Sequence, residues 1–213
     1  MFTKLLPNTV VCEEGGILCD ECGLFPEEKA SVGTMTVQRR REFMTGRTYA
    51  HAVIRRLGMQ AGPILVNEDR SPRWQQGIVG SITHSADRCA VAVALSEHVA
   101  GIGIDIERIS DTGDDIKSML GPEESRALEG MAHEERYRMM CLLFSAKESF
   151  FKMQYPLTGR WLEFDDVTAR ILDGERFEIR DHPVVDKTIP NTVCGHYRMQ
   201  GDHVYTAVYL ARG

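Results

Sequence analysis

The sequence predicts an α+β fold, and three observations carry that prediction. Two long segments, near 35–57 and 134–154, place apolar residues at three- and four-residue steps, as amphipathic helices do. Between them lie short apolar runs at 77–83, 89–95 and 99–106, separated by polar turns, the pattern of hairpin-connected strands. A tail of further short strand candidates closes the chain. Helices mixed with hairpin strands point to α+β.

The first thirty residues are acidic and punctuated by glycines and Pro26, so they read as loop with one strand. In the helix over 35–57, Phe43, Ala50, Val53, Ile54 and Leu57 form the apolar stripe, and Gly58 stands where a left-handed C-terminal cap belongs. Arg40 and Arg47, seven apart, share a face of it. A turn-rich connector with Pro63 and Pro72 follows. His84, Ser85, Asp87 and Arg88 separate the first two strands, and the third stays apolar until Asp105. A polar loop over 110–115 leads to two helical segments near 116–130 and 134–154. The second starts among His133, Glu134 and Glu135, where acids suit a helix N-terminus, and Pro156 and Gly159 stop it. The tail strands are read at 164–172, 176–179, 194–199 and 203–210.

At 213 residues the chain can bury a core without disulfide or metal staples. Apolar residues at 43% and charged residues at 26% describe a globular protein, not a disordered one. A net charge of −6 argues against nucleic-acid binding through a broad basic surface. No apolar run approaches a membrane span and no signal-peptide pattern opens the chain, so a soluble cytoplasmic protein is expected. Six cysteines then read as reduced thiols, and the Cys19/Cys22 pair lacks a second ligand pair for zinc. Its acidic neighbours Glu13, Glu14, Asp20 and Glu21 disfavour a reactive thiolate.

Three motifs carry chemistry. In GIGIDIERI (101–109), Asp105 and Glu107 point to one face of a strand and Ile104 and Ile106 to the other. Paired carboxylates either end a solvated strand or bind a hard cation, magnesium above all. In FSAKESFFK (144–152), Glu148 lies in an apolar stripe with Cys141, Phe144 and Phe151. It is either paired with Lys152, one turn on, or bound to metal, while Lys147 stands beside the stripe. In GSITHS (80–85), His84 ends a strand and is either a structural histidine or a site residue. No GxSxG elbow, Walker loop or GxGxxG occurs. Together, Asp105, Glu107 and Glu148 can hold one magnesium, and Arg40, Arg47, His84, Lys147 and Lys152 can offset phosphate charge. That inventory suits a magnesium-bridged pyrophosphate.

RRREFMTGR (39–47), SPRWQQGIVGSITHS (71–85), GIGIDIE (101–107), FSAKESFFK (144–152) and YPLTGRWLEFDD (155–166) occur in one order over 39–166. On these the chain resembles the Sfp-type 4′-phosphopantetheinyl transferases, in particular the branch of enterobactin synthase component D and mycobacterial relatives. The resemblance implies two similar α/β halves forming a pseudo-dimer within a monomer, 1–100 and 101–213, with the site in the cleft between them. It implies transfer of the phosphopantetheine arm of coenzyme A, the co-substrate, to a serine of an apo acyl or peptidyl carrier protein. Adenosine 3′,5′-bisphosphate is released, and the pathway served makes polyketides, nonribosomal peptides or siderophores. Carried over, Asp105, Glu107 and Glu148 bind magnesium, and Glu148 is the base, directly or through a water. Lys147 and Lys152 stabilise pyrophosphate charge. Arg40, Arg47, Arg70, Thr83 and His84 contact coenzyme A, Arg47 at the 3′-phosphate. Thr83 replaces a serine often found there, and Gln75 a proline. Asp111, Asp114 and Asp115 would repel an acidic carrier, while Met119 and Leu120 offer an apolar contact. Two other readings of the same residues are a magnesium-dependent phosphodiesterase or nuclease and a non-catalytic coenzyme A- or carrier-binding module.

Overall fold

The structure, a computed structural model, describes residues 1–18, 23–33, 35–85, 87–109, 116–180, 183 and 189–212. The Cys19/Cys22 pair and Asp111, Asp114 and Asp115 lie outside the described residues. In chain order the elements are β1 (Val11–Gly16), α1 (Pro26–Lys29), α2 (Val37–Arg56), β2 (Leu65–Val66), β3 (Pro72–Arg73), β4 (Ile78–Ser85), β5 (Arg88–Leu95) and β6 (Val99–Arg108). Then come α3 (Pro122–Ala127), α4 (His133–Thr158), β7 (Thr168–Leu172), β8 (Arg176–Arg180), β9 (Val193–Gln200) and β10 (His203–Ala211). This is a mixed α/β architecture with two principal antiparallel sheets.

The first sheet has the order β1-β5-β4 and the second β6-β10-β9-β8-β7, while β2 and β3 form a short ribbon. Helix α2 packs across the first sheet and α4 across β6 and β10. The sheets meet where β4 runs beside β6, and side chains rather than a backbone ladder join them. The Ile104 amide donates to Ser81 Oγ and the Ile106 amide to Thr83 Oγ1, both at 3.2 Å. An apolar core crosses beneath this seam, from Ala90, Ala92 and Ala94 on β5 to Ile102, Ile104 and Ile106 on β6. The chain start closes it: Phe2, Leu5, Leu6 and Val10 are buried there, and Phe2 meets Tyr205 edge-on at 5.7 Å.

Helix α2 begins at Thr36, whose hydroxyl accepts the Arg39 amide. Three expectations from sequence need correction. The segment over 116–130 is not one helix, because Pro122 at the first position starts a new one, α3, whose Glu124 accepts the Gly121 amide at 2.7 Å. Helix α4 runs through Pro156 to Thr158. A proline in the last turn forfeits one hydrogen bond near the helix end, and Gly159 at φ 63° then terminates it. The first thirty residues also hold more structure than a loop with a strand, since α1 and a buried carboxylate, Glu28, lie there.

Candidate active site

Strand β6 presents Ile102, Ile104 and Ile106 to the inter-sheet core and the alternate residues, Gly101, Gly103 and Asp105, to α4. A Cβ on Gly101 would sit 3.0 Å from the Met153 carbonyl oxygen. One on Gly103 would run into the Ser149 carbonyl, with the Met153 amide nitrogen 2.8 Å away. Helix backbone therefore lies directly on strand backbone, which only glycine permits. That close approach sets Lys152 against Asp105, its Nζ donating to Oδ1 at 2.6 Å.

Asp105, Glu107, Glu148 and Lys152 line one cleft of about 710 Å³. Its electrostatics follow from crowding charge in a poorly solvated place. Burial, the Asp105 charge and the Glu148 charge push the Glu107 carboxyl up to about 8 against the pull of Lys152. Burial also raises Glu148, with Asp105 adding and Lys152 opposing. Burial works against the Lys152 ammonium, but Asp105, Glu148 and Glu107 outweigh it and hold its pKa above the usual lysine value.

Basic side chains line the cleft as well, and Arg39 is paired with Glu42 at 3.3 Å. Arg39, Arg70 and His84 line this cleft and a contiguous cavity of about 470 Å³, which Arg47 also lines. The Arg39 guanidinium donates to His84 Nε2 at 2.5 Å, so Nε2 accepts and Nδ1 carries the ring proton, facing Glu42 at 3.4 Å. Burial lowers the His84 pKa, against the charge of Glu42. Arg47 is buried, donates from Nε to the Ile64 carbonyl at 2.7 Å and stacks 4.4 Å over Phe43. Burial brings its pKa down to about 10.

The buried Glu28 accepts the Ile64 amide at 2.8 Å and faces His51 Nε2 at 2.9 Å, while His51 Nδ1 faces the Gly23 carbonyl at 3.1 Å. His51 thus bridges the Glu28 carboxylate and the Gly23 carbonyl. The Glu28–His51 pair pins the backbone that anchors Arg47.

Of the residues singled out from sequence, Asp105, Glu107, Glu148, Lys152, Thr83, His84 and Arg70 line the cleft and Arg47 its neighbour. Two do not stand where they were expected. Lys147 is turned away. Its buried ammonium donates to Glu124 Oε2 at 2.7 Å, the Phe164 carbonyl at 2.7 Å and the Met119 carbonyl at 3.3 Å, which uses its three protons on structure. Arg40 is not among the cleft-lining residues, and Arg39 takes that place. The ladder Arg39–Phe43–Arg47, in steps of four, is the sequence signal for it. Thr83 lines the cleft but commits its hydroxyl to Asp105 Oδ1, at 3.1 Å, and to the β6 backbone.

Trp161 is 64% exposed, and nothing in the sequence alone singles it out. It stands at the cleft rim beside Phe151 and Tyr155, at ring separations of 5.1 and 6.2 Å.

Among the described residues, no three His, Cys, Asp or Glu side chains are gathered tightly enough to hold an ion as placed. The donor set nevertheless fits a hard cation. Three carboxylates line one cleft, and their mutual repulsion, visible in the raised Glu107, is what a divalent ion with oxygen ligands relieves. Among the described residues, no helix is long and apolar enough to cross a membrane.

Known proteins share this layout of motifs. A family model described as the 4′-phosphopantetheinyl transferase N-terminal domain matches residues 27–94, and one for the 4′-phosphopantetheinyl transferase superfamily matches 101–208. The chain is 38% identical to 4′-phosphopantetheinyl transferase Svp of Streptomyces mobaraensis, over 94% of this chain and 82% of that protein. It is 33% identical to 4′-phosphopantetheinyl transferase PptT of Mycobacterium tuberculosis, over 78% and 75% respectively. Enterobactin synthase component D of Salmonella typhi is 32% identical over 54% of this chain and 48% of its own length. With GIGIDIE and FSAKESFFK folded against each other, and the matches running through both sheets, the chain belongs to the 4′-phosphopantetheinyl transferase superfamily.

Proposed function

We propose that this chain transfers the 4′-phosphopantetheine arm of coenzyme A to a serine hydroxyl of an apo acyl or peptidyl carrier protein, with magnesium as the required ion. The observation that carries the reading is one cleft lined by Asp105, Glu107, Glu148 and Lys152 and also by Arg39, Arg70 and His84, with Arg47 lining the adjoining cavity. A pyrophosphate needs cations around its ends and a divalent ion between its oxygens. Asp105, Glu107 and Glu148 would hold that ion, and bound there it would neutralise charge developing on the bridging and leaving oxygens.

The remaining roles follow from the side chains. The arginines and His84 hold the phosphates of coenzyme A. Lys152, its side chain 28% exposed, faces the pyrophosphate. Glu148, whose proton affinity is raised, takes the proton of the carrier serine. The serine oxygen forms a bond to the phosphorus bearing the pantetheine arm, and the pyrophosphate bond breaks, releasing adenosine 3′,5′-bisphosphate. A largely apolar recess of about 190 Å³ beside Glu148, walled by Phe151, Trp161 and Leu162, suits the arm itself.

Helix α2 on the first sheet and α4 on the second are read as two similar halves, 1–100 and 101–213, acting as one soluble monomer. The proposed boundary falls near the start of β6. The intact mass of an apo carrier incubated with this protein, coenzyme A and magnesium tests the proposal. A gain of one phosphopantetheine arm, lost on chelation, is expected. No gain on fatty-acid, polyketide or peptidyl carriers refutes it. Glu148→Gln should lose the rate with its fold intact, whereas a binding module would keep its function.

A further inference from the structure

Asp105 is held by more than Lys152. Its Oδ1 also accepts from Thr83 Oγ1 at 3.1 Å, and its Oδ2 accepts from Ser145 Oγ at 2.8 Å. Ser145 Oγ lies 2.9 Å from Thr206 Oγ1, and Thr206 Oγ1 lies 2.8 Å from the Ser145 carbonyl oxygen. Ser145 and Thr206 have no exposure to solvent, and Asp105 has 2%. Thr206 is the register partner of Asp105 on β10. Helix α4 thus reaches the carboxylate of β6 through the Ser145 hydroxyl, and β10 holds Ser145 through Thr206.

Helix α4 supplies an internal contrast. Ser149, one turn on and equally buried, satisfies its hydroxyl locally, on the Ala146 carbonyl at 2.8 Å. Ser145 instead sends its proton across the helix–sheet interface to Asp105. A buried serine in a helix interior gains nothing over alanine by propensity. The hydroxyl is explained by its acceptor.

We propose that Ser145, backed by Thr206, is a positioning residue for Asp105. The Ser145 hydroxyl on Oδ2 and the Thr83 hydroxyl on Oδ1 fix the plane of the carboxylate from behind, and Thr206, donating to the Ser145 carbonyl, holds that turn of α4 in place. Lys152, on a flexible stem and the most exposed of the donors, is then the one that a divalent cation displaces, while the carboxylate keeps its orientation. This rests on the reading of Asp105 as a metal ligand. Hydrogen bonds behind a ligand are typically worth 10–100-fold in metal affinity.

The test is Mn²⁺ binding to the protein alone, without coenzyme A or carrier, followed by the electron paramagnetic resonance of free Mn²⁺. Thermal unfolding is recorded alongside in the absence of metal. Ser145→Ala should weaken Mn²⁺ binding about 10–100-fold. Thr206→Val, which keeps the side-chain shape, should weaken it several-fold, and Thr206→Ser should restore it. Asp105→Ala is the reference. If it leaves Mn²⁺ affinity unchanged, the metal-ligand reading falls and this inference with it. If Asp105→Ala abolishes binding while folded Ser145→Ala binds within twofold of the parent, the reading of the site stands and this inference is overturned. A lowered unfolding midpoint with unchanged affinity also overturns it, since a purely structural serine would behave so. If Ser145→Ala does not fold, the Thr206→Val and Thr206→Ser pair decides alone.

Discussion

Gly103→Ala is the sharpest perturbation of the helix–strand contact. Its added carbon would overlap the Ser149 carbonyl and sit 2.8 Å from the Met153 nitrogen. An ordinary contact needs roughly 3.4 Å, so α4 must lift by at least about 0.6 Å, and the overlap with the Ser149 oxygen demands more. The obstacle is backbone on backbone, so no side chain can rotate away. Lys152 rides on the lifted helix, so its 2.6 Å contact with Asp105 is stretched and the cleft geometry shifts with it. Strain at the upper end of overpacking, about 3 kcal/mol, lowers the unfolding midpoint of a chain this size by roughly 6–12 °C. A misplacement near 1 Å between reacting groups costs on the order of 100-fold in rate. Circular dichroism melting and the carrier mass assay read the two effects. Gly33→Ala, where the added carbon meets nothing within 4 Å and φ is −58°, is the control and should change neither. A Gly103→Ala protein that melts and turns over like its parent would refute the backbone-contact account of the site.

Lys147→Met should destabilise the fold by about 3–5 kcal/mol in urea titration, because it strands the buried Glu124 carboxylate. Adding Glu124→Gln should recover part of that loss. Glu107 binds its proton more tightly in the folded state, up to about 8 against 4.5. The folded protein therefore holds more protons than the unfolded chain between those values, and stability falls as pH rises through that window. Glu107→Gln should accordingly melt higher than the parent at pH 8 and alongside it at pH 4. A parent advantage at pH 8 would contradict the sign. Glu28→Ala leaves the buried His51 Nε2 without its carboxylate partner and frees the Ile64 backbone on which Arg47 rests. It should lower the melting temperature and weaken coenzyme A binding by calorimetry, and unchanged affinity in the folded variant would sever Glu28 from Arg47.

What could be read from sequence was whatever local periodicity encodes. The two-residue alternation of GIGIDIE set Asp105 and the glycines against the isoleucines, and although residues 101–106 are all buried, the isoleucines pack into the inter-sheet core while the glycines and Asp105 meet α4. The stripes of α2 and α4 were legible because each buries one face against a sheet. The failures are tertiary. Lys147 looks like a free charge beside a stripe, because its partners arrive from 23 residues before it and 17 after it. Pro156 reads as a stop because a proline signal does not say whether it falls in the interior of a helix or in its last turn. Arg40 and Arg39 are neighbours on one helix, and seven-residue spacing favours Arg40. The choice is made by His84, 45 residues on from Arg39, which no helical pattern contains. Glu28 and His51 lack any motif and meet only once α1 folds back on α2.

The seam between the two sheets has a mechanical meaning. A backbone ladder shares load over many evenly spaced bonds and resists shear. Here the β6 backbone is tied to β4 at two stations, the Ser81 and Thr83 hydroxyls, above a floor of alanines and isoleucines that can slide. The stiffness of the joint therefore resides in two side chains, and single substitutions can tune it without disturbing either sheet. Ser81 lies two residues from the carboxylate station, so softening it would loosen the jaw while sparing Asp105. Ser81 therefore serves the joint alone, whereas Thr83 serves both the joint and the carboxylate.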